Sequence, residues 1–181
     1  DGFGSQRHDL MFNDFILVGP KDDPAQIGAA KTTVEAFQKI ATAKARFASR
    51  SDDSGTHKAE LRFWRAAGET PKDASGKWYL ETGLGMGATL NFAVQADAYA
   101  LTDRATWLTF KNKTTHMPLY QRDPALFNQY GVVLVSQTHC PTIKAAESRI
   151  FVDWLLSPKG QNAIAAFQHE NRPLFFPNAT P

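Results

Sequence analysis

Between Leu10 and Val18 the chain reads Leu-Met-Phe-Asn-Asp-Phe-Ile-Leu-Val and then stops at Gly19-Pro20 and the turn-rich Lys-Asp-Asp-Pro. A mostly apolar run bounded in this way predicts a strand. Val34, Phe37, Ile40 and Ala41 recur at helical spacing, so 33–43 is an amphipathic helix. Arg46 to Ser49 is a short strand candidate that leads into a hydroxyl-rich turn. Within 55–67, Leu61, Trp64 and Ala67 repeat at helical intervals, with Asp53 or Ser54 as the N-cap. Residues 68–76 form a polar loop.

After Trp78-Tyr79 a glycine-rich turn opens a helix from about Ala88 to Ala96. Ala98 to Leu101 reads as a strand, with Thr102 capping a helical turn that ends near Phe110. The Pro-containing stretch 111–128 is irregular. Gly131 to Val135 is apolar and β-branched, which predicts a buried strand. Two helices, about 143–156 and 159–168, close the chain, with Ser157 as cap and Pro158 at the first helical position. Phe151, Trp154 and Leu155 form a helical stripe expected to face the core, and Phe175-Phe176 is expected to pack down the tail. Strands alternating with helices give an α/β fold.

The chain has 181 residues, 43% apolar and 21% charged, enough for one domain or two small lobes. The net charge is +2 with Lys and Arg scattered, which argues against nucleic acid as a partner. The isoelectric point near 8.7 leans toward anionic ligands. One cysteine, Cys140, rules out an intramolecular disulfide or a cysteine metal cluster. No apolar run is long enough to span a bilayer. The start, Asp-Gly-Phe-Gly-Ser-Gln-Arg-His, lacks the charged end and apolar middle of a signal peptide and reads as a chain entered partway through.

The chemistry concentrates at Ser49-Arg-Ser-Asp-Asp-Ser-Gly-Thr-His57, where a glycine-containing turn opens a helix. Such a junction presents unpaired N–H groups and the positive end of a helix dipole. Arg50, Ser54, Gly55 and Thr56 are therefore candidate anion ligands. Gly83-Leu-Gly-Met-Gly-Ala-Thr89 is a second helix entrance, adding Gly87, Ala88 and Thr89. On the residues alone a second reading stands beside this one: a well-capped helix with Arg50 paired to Asp52 or Asp53 on the surface. Asp53 and His57, four apart, form a metal pair too small to be a site. A metal-dependent or serine-type hydrolase using Asp53, His57 and Ser54 is the alternative function, although no Gly-x-Ser-x-Gly elbow surrounds Ser54. The glycine spacing of 83–89 does not fit a dinucleotide fingerprint.

Several blocks together resemble the tungstate-binding proteins of ABC importers, within the molybdate-, tungstate- and sulfate-type periplasmic solute-binding proteins. They are Met11 to Pro20, Ser49 to His57, Trp78-Tyr79 with Thr82 to Leu90, and Tyr99 to Arg104. Phe151 to Leu155, Ser157 to Gln161 and Leu174 to Pro177 continue the match. Two departures are Ser51, where a glycine is usual, and Leu84, where glutamine is common.

The resemblance implies a type II periplasmic-binding-protein-like α/β fold with two lobes joined by a hinge. Residues 18–113 would form the second lobe; 1–17 and 114–181 would be a partial first lobe lacking its N-terminal part. It implies capture without catalysis and without a cofactor. A tetrahedral oxyanion, tungstate or molybdate, would be held between the lobes by Arg50, Ser54, Gly55 and Thr56, with Gly87, Ala88 and Thr89 as a second set. No residue is expected to act as a cation ligand. An ABC transporter permease is the implied partner, and a periplasmic or extracellular location follows. Exposed sheet edge and apolar surface in an incomplete chain lead to an expectation of self-association.

Overall fold

The computed structural model describes residues 2–180, and the chain divides into two compact units. Unit 2 is Asp14–Phe127; unit 1 comprises the residues up to Asn13 together with those from Asn128 onward. The dividing positions fall within the long first strand β1 (Gly4–Pro20) and at the start of β6 (Phe127–Val135). The resemblance had put them at 17/18 and 113/114.

Unit 2 is a sheet with helices on both faces. Its elements after β1 are α1 (Thr33–Ala43), β2 (Phe47–Ser49), α2 (Gly55–Ala66) and β3 (Tyr79–Glu81). They continue with α3 (Met86–Gln95), β4 (Ala100–Asp103), α4 (Arg104–Thr109) and β5 (His116–Tyr120). β1 lies between β4 and β5, antiparallel to both, and β2 pairs parallel with β3. Bonds from Tyr99 N–H to the Arg46 carbonyl and from Ala48 N–H to the Tyr99 carbonyl stitch β2 to the entry of β4.

The layering follows from alternation along each strand, whose successive side chains point to opposite faces. Phe15, Leu17, Phe47, Tyr79, Tyr99 and Leu101 face one way and meet Phe37 and Ile40 of α1 and Phe63 and Trp64 of α2. Ile16, Val18, Ala48, Ala98 and Ala100 face the other way, against Met86, Leu90 and Ala93 of α3 and Trp107 of α4. Both faces are covered, which is why β1 reads as an almost unbroken apolar run here. Gly19 is required by close approach: a Cβ there would lie 2.5 Å from the Tyr99 ring.

Helix boundaries follow the capping residues. The Thr32 side chain accepts the Glu35 N–H at the start of α1, and Ser54 accepts the His57 N–H at the start of α2. At α4 the cap is Asp103, which accepts the Thr106 N–H, and not the expected Thr102, whose buried side chain belongs to β4. The stretch 111–128 is not wholly irregular. It holds β5, anchored by pairing to Val18 and Gly19, and a 3-10 turn at Pro124–Leu126 capped by Asp123. A 3-10 turn at Pro71–Ala74 likewise interrupts the expected 68–76 loop.

Unit 1 is built on the first part of β1, which pairs with β6 and, antiparallel, with β9 (Phe176–Pro177). α5 (Ala145–Leu156) and α6 (Pro158–Ala166) pack on each other, with Ser157 accepting the Gly160 N–H. Gly160 passes so close to α5 that a Cβ would sit 2.1 Å from the Trp154 carbonyl. β7 (Gln168–His169) and β8 (Arg172–Pro173) make a small hairpin through Glu170 and Asn171, both at positive φ. The tail is tied down by a reciprocal amide pair between Gln129 and Asn178.

Two expectations fail in unit 1. Gly131–Val135 is a strand, but Val133 and Val135 are 47% and 49% exposed; Phe151 and Trp154 of α5 are 59% and 40% exposed. Both stretches carry the composition of buried elements, yet among the described residues no layer covers them. Among the described residues no helix is long and apolar enough to cross a membrane.

Candidate anion-binding site

The candidate residues all lie in unit 2, at the two junctions where the chain leaves the carboxyl ends of β2 and β3 and enters the first turns of α2 and α3. The first loop is wound tightly, with Ser51 and Asp53 both at positive φ. Ser51 at φ 47 occupies backbone that favours glycine, which accounts for the residue usual there in the resembled family. Its hydroxyl donates to Glu81 at 2.9 Å, and its N–H donates to Ser49 Oγ at 3.2 Å.

At the entrance of α2, Ser54 Oγ is occupied by the His57 N–H and the Ser54 carbonyl by the Lys58 N–H. Among the described residues the N–H groups of Gly55 and Thr56 and the Thr56 hydroxyl have no protein partner. Gly55 is exposed, and a Cβ on it would meet nothing within 4 Å. These are the donors that a helix N-terminus offers to an anion. Beside them Arg50 Nε and Nη2 donate to Oδ2 of Asp52, whose Oδ1 accepts the Ser54 N–H. Burial works against the charge on Asp52, but the bonds from Ser54 and Arg50 outweigh it and hold the carboxyl below its ordinary range. Both readings of Arg50 thus have a footing: it pairs with Asp52, and it stands next to free amides.

The second loop has a similar ending. Gly85 is the N-cap of α3 without a side-chain cap, and Gly87 and Ala88 are exposed, their N–H groups without a protein partner among the described residues. Thr89 differs: it is fully buried, its N–H donates to the Gly85 carbonyl, and its hydroxyl contacts Thr82 Oγ1 and the Leu84 carbonyl. Thr82 in turn bonds the Ser49 carbonyl through both its N–H and its hydroxyl. Ser49 therefore joins the two loops, through its Oγ to the first and through its carbonyl to the second.

The hydrolase alternative does not assemble. The Ser54 hydroxyl serves the helix backbone, and His57 Nδ1 accepts the Asp53 N–H at 3.1 Å, leaving no pairing between hydroxyl and imidazole. The Asp53 carboxylate instead faces Lys58 at 3.3 Å. No group of three or more His, Cys, Asp or Glu able to hold a metal ion occurs among the described residues. A groove of about 840 Å³ lined by Lys44, Arg46, Glu69, Asp73, Lys77 and Trp78 shares no residue with these loops.

What sequence reasoning missed lies beneath the loops. Glu60 of α2 is 2% exposed and accepts bonds from Ser49, Tyr79 and Trp64. Its spacing was the available signal: the buried face of α2 runs His57, Glu60, Phe63 and Trp64, and a search for apolar repeats passes over the carboxylate.

An α/β unit that offers free amides at two helix entrances, with a guanidinium alongside, has the makings of an anion receptor. The chain belongs to the periplasmic-binding-protein superfamily: the family model described as PBP superfamily domain matches residues 1–159. It is 42% identical to the tungstate-binding protein TupA of Peptoclostridium acidaminophilum, over 98% of this chain and 63% of that protein. Among solved structures it is similar to the tungstate-binding protein TupA from Desulfovibrio alaskensis G20, with 39% identity and a TM-score of 0.77. That match covers 99% of this chain and 72% of the other. The tungstate ABC transporter from Geobacter sulfurreducens is similar at 43% identity and a TM-score of 0.79, over 92% of this chain and 70% of that one. The chain spans between 53% and 65% of the length of the curated relatives it matches.

Proposed function

We propose that this chain is part of a solute-binding protein that captures a tetrahedral oxyanion, tungstate or molybdate, and delivers it to an ABC transporter permease. The observation that carries the reading is the start of α2, where Gly55 and Thr56 hold out free N–H groups beside Arg50. Relatives named for tungstate binding, at 39 to 43% identity, supply the ligand class. On this reading Arg50, Ser54, Gly55 and Thr56 form the first set of contacts and Gly87 and Ala88 the second, with Thr89 holding the second loop from beneath. Unit 2 corresponds to the second lobe and unit 1 to part of the first. The protein works on the periplasmic or extracellular side of the membrane, is not an enzyme and needs no cofactor.

Size selects the ligand. Donors spaced for a large tetrahedron leave bonds to a smaller sulfate imperfectly made, and each buried donor left unpaired costs about 1–3 kcal/mol. Calorimetric titration of the full-length protein with tungstate, molybdate and sulfate tests the reading, with Arg50→Ala and His57→Ala as controls. Capture predicts a large loss of affinity for Arg50→Ala and a small one for His57→Ala. Absence of oxyanion binding by the folded protein would overturn it. The exposed Val133, Val135, Phe151 and Trp154 support self-association of the 181-residue chain, and a clean monomer in sedimentation at high concentration would contradict that.

A further inference from the structure

Behind the first loop, inside unit 2, three side chains close a hydrogen-bonded ring. Tyr79 OH lies 2.7 Å from Glu60 Oε1, Ser49 Oγ lies 2.8 Å from Glu60 Oε2, and the two hydroxyls are 3.0 Å apart. The Trp64 indole N–H adds a bond to Glu60 Oε1 at 3.1 Å. All three ring members are buried. Glu60 touches none of the proposed anion contacts, yet it holds Ser49, and Ser49 ties the Ser51 N–H of one loop to Thr82 of the other.

The ring accommodates two proton arrangements. Ionised, Glu60 accepts from Tyr79, Trp64 and Ser49. Protonated at Oε2, it donates to Ser49, Ser49 donates to Tyr79, and Tyr79 donates to Oε1, so every bond runs in one direction and none is lost. Ser49 Oγ accepts the Ser51 N–H in either state. Burial disfavours the charge and outweighs the bonds from Tyr79, Ser49 and Trp64, pushing the carboxyl up to about 7, with Glu81 adding to the rise.

Among the described residues the titratable groups on this side include Tyr79 and Glu81 of β3, His57 one turn earlier on α2, and Lys72, whose charge reaches Glu81. Asp103 of β4 is engaged by Thr106, while β2 and α1 present Ser49, Phe47 and Phe37. A dianion arriving at Gly55 and Thr56, one turn up the same helix, brings further negative charge toward a buried carboxylate. Repulsion in a weakly screened interior then favours the protonated ring.

On the reading of these loops as an oxyanion site, we propose that Glu60 is a positioning residue that takes up a proton from solvent as the dianion is captured. Ligand binding and proton binding are then linked: the carboxylate becomes a carboxylic acid, and the dianion stays unprotonated. Calorimetry of the full-length protein with tungstate, in buffers of differing ionisation heat between about pH 7 and 9, counts the protons taken up. The expected result is uptake of a fraction of a proton, greatest between about pH 7 and the carboxyl's raised value in the complex and fading above it, with affinity falling across that window by up to about tenfold per pH unit. Glu60→Gln should bind with pH-independent affinity and no proton uptake. A carboxylic-acid carbonyl stretch appearing in the infrared difference spectrum on adding tungstate to the unmodified protein checks the same event without a variant. Tungstate binding without proton uptake, or equal uptake by a folded Glu60→Gln protein, overturns the linkage alone. Absence of any tungstate binding by the folded protein overturns the oxyanion-site reading and this proposal with it.

Discussion

Arg50 turns back onto Asp52 two residues later, and its Nε and Nη2 share one carboxylate oxygen, Oδ2. The pair is well covered, with side-chain exposures of 18% and 21%. Asp52 thus competes for the guanidinium that the proposed dianion needs. With a spacing of about 5 Å and an effective dielectric of about 40, carboxylate–dianion repulsion amounts to roughly 3 kcal/mol. Loosening the Arg50 side chain costs only about 1 kcal/mol in ordering. Repulsion wins by about 2 kcal/mol, so Asp52→Asn, which can still accept the Ser54 N–H, is expected to tighten oxyanion binding by about thirtyfold. Weaker binding in a titration would mean that Asp52 serves the ligand by aiming Arg50.

Gly55 offers a test in which stability and function move in opposite directions. A Cβ there meets no protein atom within 4 Å, so Gly55→Ala should fold and gain about 0.5–1 kcal/mol from reduced chain entropy. The same methyl group would stand where a ligand approaches the N–H groups of Gly55 and Thr56. Thermal unfolding should shift upward while affinity drops at least tenfold, roughly the loss of one charge-assisted bond. Unchanged affinity would remove the start of α2 from the site.

How much of this was legible depends on the range of the interactions. Phe15, Ile16, Leu17 and Val18 announced a strand, and Ser54 and Ser157 announced their helices, because a bounded apolar run and a capping residue are local signals; that β1 is buried on both faces came only with the structure. β5 was not legible: Pro118 sits in the middle of a five-residue segment, and only pairing with Val18 and Gly19, about a hundred residues away, makes it a strand. Composition also misled at Val133, Val135, Phe151 and Trp154, since apolar character says what a face can bury and not what lies against it. In the site, the glycines and hydroxyls of both loops stood out. Ser49, Thr82 and Glu60 did not, because their importance lies in contacts made across the sheet.

Glu60 makes a pH prediction that is independent of any ligand. Its folded carboxyl is pushed up to about 7 from an ordinary 4.5, by burial first. A carboxyl raised on folding favours the folded state fully below its unfolded value, and that contribution is lost as pH rises through about 7. The unmodified protein should therefore lose up to roughly 3 kcal/mol of stability from this group between about pH 4.5 and 7.5. Glu60→Gln should flatten that slope in denaturant unfolding across the range. A parallel slope in the variant would place the pH dependence elsewhere.

Asp123 slopes the other way. Its Oδ2 accepts the Thr33 N–H, the Thr33 hydroxyl and the Tyr120 hydroxyl, and its Oδ1 accepts the Ala125 N–H. One side chain thus holds the first residue of α1, the end of β5 and the 3-10 turn after it. Burial opposes the charge, but the bonds from Ala125 and Thr33 overcome it and bring the carboxyl down to about 2. A depressed carboxyl stabilises the fold above its unfolded value, and that contribution is lost as pH falls through about 2. Because Asp123 is only half-buried, solvent screening reduces the gain to about 1 kcal/mol. Asp123→Asn keeps one acceptor oxygen but puts an N–H₂ where Thr33 or Ala125 must donate. It is expected to destabilise unit 2 by about 1–2 kcal/mol at neutral pH, with the difference closing below about pH 2. Urea unfolding at neutral and acid pH measures both values; a difference that persisted unchanged into acid would assign the loss to geometry and not to charge.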